Sequence, residues 1–292
     1  MDILILGATG MLGHQLWLHL GEYHQVTGTL RSSNAKLSTF QNERRTLIEG
    51  VHSTDEDGLK DLLMSGNFDV VINCIGVIKQ LDEVKNAVGT IFSNSLFPHM
   101  VAKYAKNSKV IQVSTDCVFS GKKGNYTEMD VPDAGDLYGR SKLLGEINYA
   151  PHLTLRTSIV GHELHNSVSL IDWFLSQQGP IKGYTKVIYS GLTTLELAKQ
   201  INHILENHLE LSGIWQIASD PIDKCALLKK TADVYQKQIE IEPYDGYSSD
   251  KSLSYAKLQR AIGYVPRSWD QMLVDLHDHY IQYLDQLYTK AK

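Results

Sequence analysis

Short apolar runs rich in β-branched residues alternate with longer amphipathic stretches along the first half of the chain. Ile3-Leu4-Ile5-Leu6 reads as a buried strand; it runs into a glycine turn and then a helix with Leu12, Leu16 and Leu20 at helical spacing. Further strands are predicted at residues 26–30, 46–48, 69–74, 109–114 and 153–156, with a long helical segment over 84–106 interrupted near Pro98. Runs such as Val70-Val71-Ile72 are apolar on both faces, which a parallel sheet covered on both sides requires. Beyond residue 157 the pattern weakens to short strands at 188–191, 213–217 and 239–241. Helices are expected there at 193–209 and 225–237, with a closing amphipathic helix over 270–292.

Strands alternating with helices build βαβ crossovers. The expectation is therefore an α/β fold: a Rossmann-type doubly wound parallel sheet over residues 1–157 and a smaller mixed α/β domain over 158–292. A segment near 187–217 is expected to return to the first domain. No repeat or linker separates the two.

Composition narrows the class. The 292 residues carry a net charge of −5, and this mild acidity argues against a nucleic-acid binder, whose affinity rests on a basic face. Three widely spaced cysteines (Cys74, Cys117, Cys225) form neither a disulfide framework nor a Cys-x-x-Cys metal site. No apolar run approaches the roughly 20 residues that span a bilayer, and no basic segment precedes the apolar start. A cytoplasmic protein without membrane or nucleic-acid partners is expected.

The first strand leads directly into Gly7-Ala8-Thr9-Gly10-Met11-Leu12-Gly13 at the start of a helix. A dinucleotide pyrophosphate needs a backbone it can approach closely and N–H groups at a positive helix end. Gly7, Thr9, Gly10, Met11, Leu12 and Gly13 are the candidate residues for this role. A site for NAD places an acid about 20 residues further on to hold the ribose 2′-OH. Thr27-Gly28-Thr29-Leu30-Arg31-Ser32-Ser33 has none. Arg31 and Ser32 suit a 2′-phosphate instead, so NADP(H) is expected, with NAD(H) the alternative.

Tyr138-Gly139-Arg140-Ser141-Lys142 sets a tyrosine and a lysine one helical turn apart. A carbonyl that accepts hydride needs a proton donor at its oxygen, and a cation lowers the tyrosine's pKa toward usefulness. Two other Tyr/Lys pairs share this spacing, Tyr247/Lys251 and Tyr288/Lys292, but one lies in a Ser/Asp/Gly-rich loop and the other at the chain end. Tyr138 stands just before the sixth strand, where ligands of such sheets bind. The fifth strand ends in Ser114-Thr115-Asp116-Cys117-Val118-Phe119-Ser120-Gly121. Its hydroxyls suit either a substrate carbonyl or ordinary turn capping.

Together these motifs resemble the extended short-chain dehydrogenase/reductase superfamily. With Leu155-Arg156-Thr157-Ser158, Asn73, Asn94 and Gly191-Leu192-Thr193-Thr194, they look most like the dTDP-4-dehydrorhamnose reductase family, over nearly the whole chain. The resemblance implies Tyr138 as proton donor, Lys142 as its pKa-lowering, ribose-binding partner, and Thr115 as carbonyl binder. It implies that Cys74, Ile75 and Gly76 line the cofactor cleft, and that the second domain binds the nucleotide sugar. Thr115, Asp116, Cys117, Tyr138 and Lys79 are the candidate substrate residues. The reaction implied is hydride transfer from NADPH to C4 of a nucleotide-linked 4-keto-6-deoxyhexose, in deoxysugar biosynthesis for cell-surface polysaccharide.

Several positions depart from that family. Cys117 stands where it usually has tyrosine, Ile159 where it has an aromatic residue, and Asp136 where it has asparagine. Gly50-Val51-His52 lacks an aspartate that often touches adenine. The departures concentrate in sugar recognition, so the same chemistry on a different sugar is expected: a UDP-linked 2-acetamido-2,6-dideoxy-4-ketohexose, with the dTDP-4-dehydrorhamnose type as the alternative. Rival readings are an epimerase or dehydratase of the same superfamily and a non-catalytic NADP-binding regulatory subunit.

Twelve histidines form no metal pattern. His162/His165 and His277/His279 are expected at the surface, and no metal is expected. His14 is expected as a helix residue near the cofactor cleft. Tyr280, Tyr283 and Tyr288 are expected to pack or to form a partner surface, which leaves a homodimer open.

Overall fold

Six apolar runs of the first half are strands in the computed structural model, which describes residues 1–78, 86–165 and 168–288. They are β1 (Asp2–Leu6), β2 (Gln25–Thr29), β3 (Arg45–Ile48), β4 (Val70–Asn73), β5 (Lys109–Thr115) and β6 (Leu153–Thr157). With Gly213–Gln216 at one edge they form a seven-stranded sheet, in which β6, β5, β4, β1, β2 and β3 follow in that order. The β1–β2, β1–β4, β2–β3 and β4–β5 pairings are parallel. The order reverses between β1 and β4, the crevice where sheets of this kind bind ligands beyond their carboxyl ends.

The sheet is buried on both sides, as its apolar runs demand. Leu4, Leu6, Val71 and Val110 pack with Leu59 and Leu63 of the helix Glu56–Ser65 and with Phe97 and Val101 of the helix Phe97–Tyr104. The helix α1 (Met11–Leu20) covers β1 and β2 and buries Leu16, Trp17 and Leu20 completely. Gly28 makes room for it, because a Cβ there would lie 2.7 Å from that of Ala8 and 3.0 Å from Trp17 Cδ1.

The break in the long helical segment falls earlier than Pro98. An α-helix over Ala87–Ile91 passes into one π-helical turn, Phe92–Leu96, and only then into Phe97–Tyr104. Pro98 sits in the first turn of that second helix, where its missing N–H costs nothing.

The chain divides into two units. One comprises Met1–Val118, Ala134–Arg156 and Ala198–Trp215; the other comprises Phe119–Asp133, Thr157–Leu197 and Gln216–Lys292. In the second unit Ile181–Tyr184 pairs in parallel with Ile241–Tyr244. Val187–Tyr189 lies between Ile222–Asp223 and Ser249–Asp250. The helices Lys224–Val234 and Trp269–Tyr283 pack on each other. His162, expected at the surface, is buried here. It is bonded to Asp172 Oδ1 (2.6 Å) and the Tyr235 hydroxyl (2.7 Å) and stacked on Tyr280 at 3.8 Å. Tyr280 and Tyr288 thus belong to an internal aromatic cluster. Among the described residues no helix is long and apolar enough to cross a membrane.

Candidate active site

The glycine turn opens at the end of β1, where Gly7 takes φ +85°, a conformation that L side chains rarely adopt. A Cβ on Gly7 would also lie 2.9 Å from Ile75 Cγ1, so the turn lies directly against the loop that follows β4. Gly13 is tighter still: its Cβ would sit 2.1 Å from the Gly7 carbonyl oxygen, which α1 can approach only with hydrogen at that position. Thr29 on β2 fixes the turn from the side, accepting from Gly7 N through its hydroxyl (3.1 Å) and from Ala8 N through its carbonyl (3.0 Å). α1 starts at Gly10 without a side-chain cap and has no acid in its first turn. Its leading N–H groups and its positive end are therefore available to an anion, and close-lying backbone is the other requirement of a pyrophosphate. The residues fit a dinucleotide. His14 is a buried member of α1, its ring bonded to Gly10 O at 2.9 Å. Arg31 and Ser32 follow the end of β2 and are exposed.

Beyond β4, Cys74 and Ile75 are half-buried and Gly76 is exposed. Asn94, carried by the π-helical turn, holds this loop. Its carboxamide accepts from Val77 N (2.9 Å) and donates to Val77 O (3.0 Å) and to Ser141 Oγ (3.2 Å). A π turn inserts one residue into the helical register and often marks a functional site. Here it turns Asn94 between the β4 loop and the helix Leu137–Leu144, which carries both Tyr138 and Lys142. Gly145 ends that helix, and a Cβ there would stand 1.9 Å from Asn94 O.

That helix is capped by Asp136, whose carboxylate accepts from Gly139 N at 2.8 Å. Gly139 lets it settle on the end of β5, since a Cβ would lie 2.2 Å from Cys117 O. The Thr115 hydroxyl lies beside the Tyr138 phenol and favours its ionised form. Thr115 also donates to Asp116 Oδ1 (3.2 Å) and accepts from Cys117 N (3.1 Å). Lys142 Nζ donates to Val113 O at 2.7 Å and lies beside Gly76 and Cys74. The structure thus brings Thr115, Asp116, Cys117, Tyr138, Lys142, Cys74 and Gly76 to the carboxyl ends of β4 and β5. Lys79 lies outside the described residues.

Burial dominates the electrostatics of the site. Burial pushes the Tyr138 phenol above its ordinary value; Cys117, Asp116 and Asp136 push the same way, and the Thr115 hydroxyl opposes them. Burial also pulls Lys142 down to about 8, against the charge of Glu146 and then of Cys74. The Cys74 thiol is pushed up to about 12 by burial.

Glu146 escaped the sequence reading. It is buried four residues beyond Lys142, accepts from Ser114 Oγ (2.7 Å) and is gripped by Arg156 Nε and Nη2 (both 2.8 Å). The signal in the sequence was its acid–base spacing of four from Lys142, although the helix ends at Leu144, before Glu146.

The model of the RmlD substrate binding domain family matches residues 1–281. Spore coat polysaccharide biosynthesis protein SpsK of Bacillus subtilis is 25% identical over 291 residues, covering 93% of this chain and 95% of that protein. The probable low-salt glycan biosynthesis reductase Agl14 of Haloferax volcanii is 33% identical over 155 residues, 50% of this chain and 48% of that one. Methionine adenosyltransferase 2 subunit beta of Danio rerio is 27% identical over 150 residues, 51% of this chain and 44% of that protein. The match thus spans less than half the length of this relative. A hypothetical dTDP-4-dehydrorhamnose reductase from Sulfolobus tokodaii superposes with a TM-score of 0.75 at 25% identity, over 92% of this chain and 98% of that one. A dTDP-4-dehydrorhamnose reductase from Bacillus anthracis in complex with NADP gives 0.75 at 19% identity, over 95% and 99%. With its family model matched along almost its full length, the chain belongs to the RmlD substrate binding domain family.

Proposed function

We propose that the protein is a nucleotide-sugar oxidoreductase that reduces the C4 ketone of a nucleotide-linked 4-keto-6-deoxyhexose with NADPH. One observation carries the reading: two hydroxyls, Thr115 and Tyr138, meet at the end of β5 one helical turn from a buried lysine. Below them lies a glycine turn shaped for a dinucleotide. Gly7, Gly10, Gly13 and the first N–H groups of α1 would hold the pyrophosphate, with Arg31 and Ser32 at the 2′-phosphate. Bound NADPH supplies the hydride. The work of this chain is then at the ketone oxygen, where Tyr138 delivers the proton and Thr115 holds and polarises the carbonyl. The Lys142 cation stabilises the phenolate left behind and hydrogen-bonds the nicotinamide ribose.

The half-buried thiol of Cys117 adjoins the phenol at the same edge. A thiol is smaller than the tyrosine of the resembled family and leaves room on the sugar. This supports a 2-acetamido-2,6-dideoxy-4-ketohexose on UDP over the dTDP-4-dehydrorhamnose type. The setting we infer is deoxysugar supply for polysaccharide in a reducing cytoplasm, with NAD(H) the weaker cofactor and a homodimer compatible with the fold.

A second reading is favoured by the relatives named as methionine adenosyltransferase subunits: an NADP-binding regulatory role without turnover. One experiment separates them. NADPH oxidation is followed against UDP- and dTDP-linked 4-keto-6-deoxysugars, with Tyr138→Phe beside the wild type. The reductase reading expects turnover with one sugar and a roughly 100- to 10,000-fold loss in the variant, with NADPH affinity kept. No oxidation across the panel, with NADPH still bound, overturns it in favour of the regulatory role.

A further inference from the structure

Three consecutive residues of β5 each hold one group of the segment that follows Asp136. The Val113 carbonyl accepts from Lys142 Nζ at 2.7 Å. The Ser114 hydroxyl donates to Glu146 Oε1 at 2.7 Å. Thr115 lies beside the Tyr138 phenol. Tyr138 and Lys142 stand one turn apart on the helix, and Glu146 follows just past its end, so the three groups reach consecutive residues of β5. The second contact is tied onward, because Arg156 of β6 grips both carboxylate oxygens of Glu146 at 2.8 Å. The Arg156 and Glu146 side chains are 4% and 3% exposed.

We propose that Glu146 is a positioning residue for the reduction: clamped by Ser114 and Arg156, its buried carboxylate keeps Lys142 charged and aimed beside the Tyr138–Thr115 pair. This rests on the reading of Tyr138 and Lys142 as the reacting pair. A buried ion pair is a poor stabiliser, and well-packed apolar residues would join β5 to β6 as firmly. What an apolar pair would not supply is negative charge facing a lysine that is itself buried. Burial is the main influence on that ammonium, and Glu146 is the first group opposing it, followed by the Cys74 thiol. The other titratable groups nearby are Cys117, Asp116 and Asp136, all of which act on the Tyr138 phenol.

The test uses the full chain with Glu146→Gln and Glu146→Asp. The first readout is kcat and KM for ketosugar reduction between about pH 6 and pH 10. The second needs neither sugar nor cofactor: trace acetic-anhydride labelling of Lys142 against pH, read by peptide mass spectrometry. In Glu146→Gln the alkaline limb of kcat and the Lys142 labelling curve should both move down by about one unit or more, as expected when an opposite charge within reach is removed. At pH 8 kcat should then fall about fivefold while KM for the sugar stays within about threefold. Glu146→Asp should recover part of both. Curves that superimpose on the wild type overturn the inference. Should Glu146→Gln not fold, with Arg156 left buried alone, Glu146→Asp, which keeps the charge but draws it back, must still move both curves part of the way down; an unshifted profile again overturns it. Full turnover in Tyr138→Phe would instead refute the reading of the pair, and Lys142 labelling would still test the clamp.

Discussion

At the scale of single residues, the site combines close backbone contact with a charge held out of water. Gly13 is the sharper case of the first. Its Cβ would lie 2.1 Å from Gly7 O and 2.9 Å from Gly7 C, backbone atoms that no rotamer change can move aside. Gly13→Ala should therefore tilt α1 off the turn, lowering the melting temperature by several degrees and NADPH affinity at least about tenfold. Gly50→Ala is the control. Unlike Gly13 it has positive φ, +76°, but nothing lies within 4 Å, so its cost should be backbone strain of roughly 1 kcal/mol with cofactor affinity intact. Lys142 is the case of the charge. Its value falls from the ordinary 10.5 to about 8 in the folded chain, so the unfolded chain holds the extra proton between those two values. Stability should rise with pH across that window. The cost of the buried ammonium is fully present below about pH 8 and gone above the unfolded value. At roughly 1.4 kcal/mol per unit it is of order 3 kcal/mol. Lys142→Met should abolish turnover and raise the melting temperature at pH 7, with the gain shrinking toward pH 10. A gain independent of pH would refute this account of the lysine.

At the scale of elements, the helix Leu137–Leu144 is placed by its ends more than by an apolar face. Only Gly139, Ser141 and Lys142 within it are buried, while Asp136 caps one end and Gly145 lets the other close on Asn94. Asp136→Ala should lose about 1 kcal/mol and a few degrees of melting temperature, whereas Asp136→Asn, an equally good cap, should lose neither. Asp136 is also one of the groups raising the Tyr138 phenol. Asp136→Asn should therefore move the phenol-dependent limb of kcat to lower pH, a change that measurement of kcat against pH will detect or exclude. These ends mark the limit of what the chain's pattern discloses. The strands β1, β4 and β5 are legible because strands buried on both faces are unbroken apolar runs, and the glycine turn is legible because its spacing follows one of them. The π-helical turn Phe92–Leu96 is not, since one extra residue per turn barely alters apolar periodicity, so the break was expected at Pro98. Ile181–Tyr184, two of whose four residues are glycine and lysine, offers no alternation to read. The Ser114–Glu146–Arg156 clamp joins residues 32 and 10 positions apart, contacts that exist only once β5, β6 and the Tyr138 helix are assembled.

At the scale of the whole molecule, binding and folding are linked, which makes the cofactor readable without its reaction. A ligand that binds only the folded chain stabilises it by about 2.7 kcal/mol at 100 times its Kd. Saturating NADPH should accordingly raise the melting temperature by several degrees. How NADH compares depends on the end of β2, where Arg31 and Ser32 are exposed and no acid stands to take a ribose 2′-OH. A guanidinium on a phosphate is worth roughly 1.5–3 kcal/mol as a charge-assisted bond, at the low end here because the arginine is open to solvent and counter-ions. That corresponds to about a tenfold preference for NADPH, seen as a smaller thermal shift with NADH at equal concentration. Arg31→Ala should bring the two shifts together by weakening NADPH alone. High salt should do the same to the wild type, because it screens the one contact that differs between the dinucleotides. Equal shifts for NADPH and NADH in the wild type at low salt would remove Arg31 from the site and leave the glycine turn as a dinucleotide cradle indifferent to the 2′-phosphate. A preference that survives in Arg31→Ala would move phosphate recognition to Ser32 and the backbone around it.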